Sequence, residues 1–281
     1  MQAIMKIFFL IAASFSLIAI VLICGFLFAN GFPAIAEIGF LNFMLGTNWL
    51  PGDMPASYGI FPMILGSIYV TSYAILIGGP LGVGTAIFLA FDCPKKFKAP
   101  ILSLVNLLAG IPSVVYGFFG MVLIVPLVRS ISGNGSSILA ASLLLALMIV
   151  PTIITMSYNA IVNVDEDLYN SAIALGTTHE RSIYKVILPS ARSGIMASLV
   201  LGVGRAIGET MAVIMVVGNQ AIIRLPFDIF KGVRTLTGNI VIEMGYAAGL
   251  HRQALIATGL VLFVLIIIIN IIFSMLKKEE I

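Results

Sequence analysis

The sequence predicts an all-α integral membrane protein with six transmembrane helices. Three observations predict it. Hydrophobic residues make up 60% of the 281 and charged residues only 10%, whereas soluble proteins carry about 25% charged residues. Mean hydropathy is +1.14. The apolar residues fall in runs of about 20 or more, the length a helix needs to cross a bilayer core. These runs fill most of the chain and leave no stretch for a soluble core, so residues 1–281 read as one membrane domain.

The six spans are expected at about 7–29, 61–91, 100–127, 137–160, 194–220 and 253–276. The first is too long for the apolar part of a signal peptide, about 7–15 residues, and is read as a retained span. The second and third contain breakers, Gly78-Gly79-Pro80 and Gly110-Ile111-Pro112. Tilted, kinked or partly interrupted helices are expected there.

Alternating the spans puts both termini on one side, together with Lys6, Lys95, Lys96, Lys98, Arg181, Lys185, Arg192, Lys277 and Lys278. The other side receives Arg129, Arg224, Lys231, Arg234 and Arg252. The positive-inside rule then places both termini in the cytoplasm of a cell-membrane protein. Outside lie residues 30–60, where Trp49 reads as an ordinary interfacial aromatic, and the polar segment 221–252. Cys24 and Cys93 form neither a disulfide framework nor a metal spacing. The net charge of +3 says little by itself, and no nucleic-acid partner is expected.

Inside the fifth run stand Arg205 and Glu209, in Gly-Arg-Ala-Ile-Gly-Glu-Thr. One charge at a bilayer centre costs about 2.5–3.5 kcal/mol on insertion scales. On a continuous helix the i,i+4 spacing lets the two neutralise each other. Arg before Glu is the less favourable order for a helix, so propensity does not explain the pair. A path for an ion or polar solute does, and an arginine there points to an anion, since its guanidinium offers two parallel hydrogen bonds to an oxyanion. Gly204 and Gly208 frame the pair at small-xxx-small spacing, fit for close approach to a second subunit or for packing within this one. Asn106, Ser113 and Tyr116 offer polar groups either to such a path or to the break in the third helix.

Residues 161–193 form the most organised polar segment. Asp165-Glu166-Asp167 opens a short helix that stops at Gly176. Thr177 and Glu180 form a capping-box pattern that opens a second helix, with Ile183 and Ile187 on one face and Pro189 at its end. Two helices at a glycine bend suit docking to a soluble partner.

Asn170-Ser171-Ala172, then Gly176, then Val186-Ile187-Leu188-Pro189 resembles the coupling loop of ABC importer permeases. That pattern runs Glu-Ala-Ala, three residues, Gly, nine residues, Ile, any residue, Leu-Pro. Ala172, Gly176, Leu188 and Pro189 match it; Asn170, Ser171 and Val186 replace Glu, Ala and Ile. The departure at Asn170 removes an acidic contact but leaves the bend. Gly110-Ile-Pro-Ser-Val-Val-Tyr-Gly117 and Gly204-Arg-Ala-Ile-Gly-Glu-Thr-Met-Ala212 are similar to segments of phosphate importer permeases. Gly46-Thr-Asn-Trp-Leu-Pro51 and Tyr58-Gly-Ile-Phe-Pro62 resemble the C-type (PstC) subunit more than the A-type.

This resemblance implies a type I ABC importer permease architecture in which Arg205 and Glu209 line the phosphate path. It also implies a second, PstA-like permease, two cytoplasmic PstB-like ATPase subunits and an external phosphate-binding protein. The sequence contains no Gly-x-x-x-x-Gly-Lys-[Ser/Thr] loop. No cofactor is expected on this chain, no metal and no catalysis; ATP is used by the partner subunits. The A-type subunit and permeases for other oxyanions are the nearest alternatives. A mid-membrane arginine also suits a secondary anion transporter or channel, which has no need of an ATPase-docking loop.

Overall fold

The computed structural model describes residues 2–278; Met1 and residues 279–281 of the expected domain lie outside the described residues. Among the described residues, six helices are long and apolar enough to cross a membrane: Met5–Ile38, Phe61–Phe91, Ser113–Ser132, Ile138–Val162, His179–Gly208 and Gly249–Ile272. The number of spans agrees with the sequence. Their boundaries differ in three places, each with a local cause.

The first helix, α1 (Gln2–Ile38), runs past the expected 29 and through Pro33. A short α2 (Phe40–Leu45) follows, then a two-stranded antiparallel hairpin, β1 (Trp49–Leu50) and β2 (Ser57–Tyr58). The second span, α3 (Phe61–Phe91), matches the expected 61–91 but stays helical through Gly78-Gly79-Pro80. Its glycines serve contact instead. A Cβ on Gly82 would lie 2.7 Å from Ile153 Cγ2, and one on Gly78 would lie 3.1 Å from Ile149 Cγ1.

The expected third span, 100–127, is two helices. An inner α4 (Lys95–Ala109) ends at Gly110, and the crossing stretch begins only after Pro112, as α5 (Ser113–Phe119), a π-turn over Gly120–Ile124 and α6 (Val125–Ser132). Pro112 disfavours helical backbone at Ile111, which fixes the break there. Tyr116 Oη donates across it to the Leu108 carbonyl at 2.9 Å. Of the two roles open to Tyr116, binding the break is the one observed.

The fourth span, α7 (Ile138–Val162), is capped by Ser137, whose hydroxyl accepts the Ala140 N–H at 3.2 Å. It packs along α3 on one side and along α10 (Leu188–Gly208) on the other. The α7–α10 seam is lined with small residues. Ser157 and Ser198 share a buried hydrogen bond of 2.7 Å, and a Cβ on Gly194 would overlap Ala160 Cβ. The fold core, including Leu144, Leu145, Ile149 and Ile153, surrounds α7.

Residues 163–187 hold α8 (Glu166–Ala174), α9 (His179–Ser182) and a π-turn over Ile183–Ile187 that runs directly into α10. Pro189, expected to end a helix, sits in the first turn of α10. The reason recurs at both π-turns. Leu188 N–H donates five residues back to Ile183, before Pro189, and Val125 N–H donates five back to Gly120, before Pro126. A proline has no N–H and crowds the carbonyl four residues back; widening one turn relieves the crowding without ending the helix.

The fifth span breaks where the sequence reading has it continuous. It ends at Gly208, and a short α11 (Met211–Val216) follows Glu209 and Thr210. The chain then crosses the outer face, folds α12 (Leu236–Glu243) and enters α13 (Gly249–Lys278), which packs on the last turns of α1.

Trp49 is buried, at 5% exposure, and is no interfacial anchor. Its indole donates to Glu243 Oε2 at 2.8 Å. Glu243, also 5% exposed, receives Arg234 Nη1 on Oε1 at 2.6 Å and lies 2.9 Å from His251 Nε2. One carboxylate thus ties the hairpin, the segment before α12 and the start of α13. Removing one partner of such a buried ionic group costs about 3–5 kcal/mol. Glu243→Ala is therefore expected to lower the detergent-solubilised protein's unfolding midpoint, with Glu243→Gln milder because it keeps an acceptor for the indole. Trp49 is the sole tryptophan, so its emission should shift to the red in Glu243→Ala; an unshifted spectrum would exclude this arrangement.

Candidate functional site: a broken helix and a glycine bend

Arg205 lies in the last turn of α10, half-buried, and Glu209 is the residue that leaves the helix, with extended backbone at φ −70 and ψ 131. The break separates the two charges. No ion pair joins them among the described residues, correcting the i,i+4 expectation. Arg205 Nη1 instead donates to Thr152 Oγ1 of α7 at 2.8 Å. Glu209 Oε1 accepts the N–H groups of Thr210 at 3.2 Å and Ala212 at 3.3 Å. Each charge meets a helix end of opposite partial sign: the cation sits at the C-terminus of α10 and the carboxylate at the N-terminus of α11.

Neighbouring elements hold this break. Thr237 Oγ1 donates to the Glu209 carbonyl at 3.2 Å, bringing the start of α12 down against the span. Leu236 N–H donates to Ser67 Oγ of α3 at 2.9 Å. Gly117 lets α5 come close, since a Cβ there would lie 2.9 Å from Ala212 Cα. A Cβ on Gly204 or Gly208, by contrast, would meet nothing within 4 Å. Of the two roles open to them, packing within this subunit is not the one observed: Gly194, Ser198 and Gly202 line the intramolecular seam. Beside Arg205 the α10 surface stays open, with Leu201 at 48% exposure and Gly208 exposed. Such a site presents a fixed guanidinium, not spent on a carboxylate, on an open helix face.

The second candidate site is the bend at Gly176. Asp165 caps α8 through its side chain on Asp167 N–H at 3.0 Å, as the acidic run suggested. Gly176 has φ +85, the left-handed conformation that glycine adopts cheaply. The next cap is Thr178, not Thr177: Thr178 Oγ1 accepts Arg181 N–H at 3.3 Å. Thr177 instead donates to the Ala172 carbonyl at 2.8 Å and meets Ser182 Oγ at 2.6 Å, which closes the bend. Asn170 and Ser171 are exposed and Ala172 is buried. Val186 and Leu188 are half-buried against the loop's apolar cluster, and Pro189 is exposed. Leu175 projects at 86% exposure, the outermost apolar side chain of the bend.

Sequence reasoning missed the residues that hold these sites. Tyr169 Oη meets His179 Nδ1 at 2.7 Å, while His179 Nε2 lies 3.9 Å from Asp92 at the end of α3, fixing the bend to the membrane helices. Thr152 was also missed. Its signal was available: Thr152, Thr155 and Asn159 put polar groups at i, i+3 and i+7 of an otherwise apolar helix.

Residues 82–279 match the family described as the binding-protein-dependent transport system inner membrane component. The chain is 39% identical over 229 residues to the probable ABC transporter permease protein YqgH of Bacillus subtilis, covering 80% of this chain and 74% of that one. It is 34% identical over 265 residues to the phosphate transport system permease protein PstC of Mesorhizobium japonicum, covering 86% and 80%. A bacterial ABC transporter that imports the acidic polysaccharide alginate shares the fold, with a TM-score of 0.59 at 16% identity over 98% of this chain and 99% of that one. An amino acid ABC transporter does so with a TM-score of 0.57 at 20% identity, over 77% and 92%. With six apolar spans and matches across most of its length, the chain belongs to the membrane components of binding-protein-dependent ABC importers.

Proposed function

We propose that this chain is the C-type permease subunit of an ATP-driven phosphate importer. The observation that carries the reading is the guanidinium of Arg205, half-buried in the last turn of α10 and anchored at 2.8 Å to a neutral hydroxyl rather than to a carboxylate. An arginine paired to a carboxylate would have its donors occupied. Held by Thr152, Arg205 keeps donors for a tetrahedral oxyanion. The PstC relatives support phosphate as that anion. The chain is a permease and not an enzyme; ATP hydrolysis belongs to partner subunits. Those partners are a PstA-like permease against the Gly204–Gly208 face, two PstB-like ATPases on the bend at Gly176, and an external phosphate-binding protein. Both termini lie in the cytoplasm, with the Glu243 network outside.

Arg205→Ala should reduce phosphate uptake about a hundredfold or more, the value of two charge-assisted hydrogen bonds. Arg205→Lys should recover little, because it keeps the charge and loses the planar fork. Uptake in cells with matched permease levels checks this; near-normal transport in Arg205→Ala removes the residue from the path. For orientation, cysteines at Asn134 and Asp228 should react with an impermeant thiol reagent outside intact cells, and cysteines at Lys96 and Arg181 should not.

The bend tests coupling. A Cβ on Gly176 would meet nothing within 4 Å, so Gly176→Val acts through backbone strain at positive φ alone. It should leave insertion intact and abolish stimulation of ATP hydrolysis by the phosphate-loaded binding protein. Gly176→Asn, which tolerates that conformation, should retain most of the stimulation. ATP-independent phosphate flux through the purified chain would instead identify a channel or secondary transporter.

A further inference from the structure

Below Arg205 the apolar surface of α7 carries a line of neutral polar groups. Thr152, Thr155 and Asn159 lie three and four residues apart, within one 60° sector of the helix. They descend about 10 Å towards its cytoplasmic end at 1.5 Å per residue. Thr152 and Thr155 are half-buried and Asn159 is exposed, while Ile153, Ile154 and Ser157 on other faces are buried in packing. A second helix contributes to the same line. Asn106 of α4 is exposed, and its Oδ1 lies 3.4 Å from Thr155 Oγ1. Eight residues earlier on α4, towards the cytoplasm, Lys98 Nζ lies 5.2 Å from the centre of the Tyr158 ring.

Packing does not account for this line. Packing alone has no use for two hydroxyls and a carboxamide along one sector of α7, met by a second carboxamide from α4, and the other face of α7 already supplies the core. Thr155 also donates to the Pro151 carbonyl at 3.0 Å, which leaves its oxygen lone pairs available to another donor. Hydroxyls and carboxamides both donate and accept, so they can follow an oxyanion carrying a P–OH group without trapping it as a second arginine would. No carboxylate belongs to the line between Arg205 and Asn159.

We infer that Thr152, Thr155, Asn106 and Asn159 form the cytoplasmic limb of the anion path. Thr152 is the positioning residue that fixes Arg205 at its upper end, and Lys98 supplies positive potential at its mouth. This rests on the reading of Arg205 as the anion contact. The ligand is a protonated tetrahedral oxyanion, passed between neutral donors after leaving the guanidinium.

The test uses the assembled importer in inside-out membrane vesicles, with Cys24 and Cys93 replaced by serine. Thr155→Cys and Asn159→Cys should be modified from the cytoplasmic side by a charged, impermeant methanethiosulfonate, and inorganic phosphate should slow the reaction several-fold. Ile18→Cys, on the exposed surface of α1, should be unreactive with or without phosphate. Thr152→Ser should transport within about twofold of the parent. Thr152→Val should lose about tenfold, the value of one hydrogen bond to a charged group, and its phosphate protection at position 159 should weaken. Unreactive cysteines at 155 and 159, or reaction indifferent to phosphate, would overturn the limb. If Arg205→Ala still abolishes uptake in that case, the arginine contact stands and the anion leaves by another face. If Arg205→Ala transports normally, the parent reading fails first.

Discussion

Backbone and charge inside a bilayer must be satisfied by the protein itself, and the break at Glu209 shows how this chain does so. Ending α10 at Gly208 and starting α11 at Met211 creates two helix ends where a straight span would have none. Unpaired carbonyls and N–H groups at that depth would each cost several kcal/mol. The two charges compensate those ends: Arg205 lies at the negative end of α10, and Glu209 accepts the first N–H groups of α11. The outer segment completes the arrangement, because Thr237 reaches the Glu209 carbonyl. A helix break, two charges and the descent of α12 are thus one structural unit.

That unit depends on close approach elsewhere. Gly117 admits α5 against Ala212, and the small residues of α10 admit α7. The seam at Gly194, Ser198 and Gly202 leaves Gly204 and Gly208 outside it, where an added Cβ would meet nothing within 4 Å. Placing Thr152 of α7 beside Arg205 is a consequence of that same seam. The hydroxyl then holds the guanidinium without neutralising it, which is the condition for an arginine to bind a passing anion and release it.

The π-turn before Pro189 bears on how the bend at Gly176 is joined to this site. Because Pro189 widens a turn without ending the helix, the segment from His179 to Gly208 is helical for 30 residues. One end carries the bend with Gly176 and Leu175, and the other carries Arg205. The bend and Arg205 are therefore joined by a single element. The contacts of His179 with Tyr169 and Asp92 join that element to α3 at the membrane surface.

The sequence by itself determined the class, the number of spans, the stop at Gly176 and the presence of mid-membrane charge. Each is written in local composition: apolar runs long enough for a bilayer, a glycine where only positive φ continues the chain, charged residues where lipid excludes them. Partner choice was decided by tertiary structure. The i,i+4 spacing of Arg205 and Glu209 presumes a continuous helix, and whether the helix continues depends on Thr237, Ser67 and Gly117 arriving from other elements. Trp49 reads as an interfacial aromatic until Glu243, 194 residues away, is brought to its indole. Gly78-Gly79-Pro80 reads as a breaker until Ile149 and Leu199 occupy the space its glycines leave. Hydrophobic periodicity is a property of neighbours along the chain, whereas a buried hydrogen bond or a close helix contact is a property of neighbours in space, and only the folded molecule specifies those.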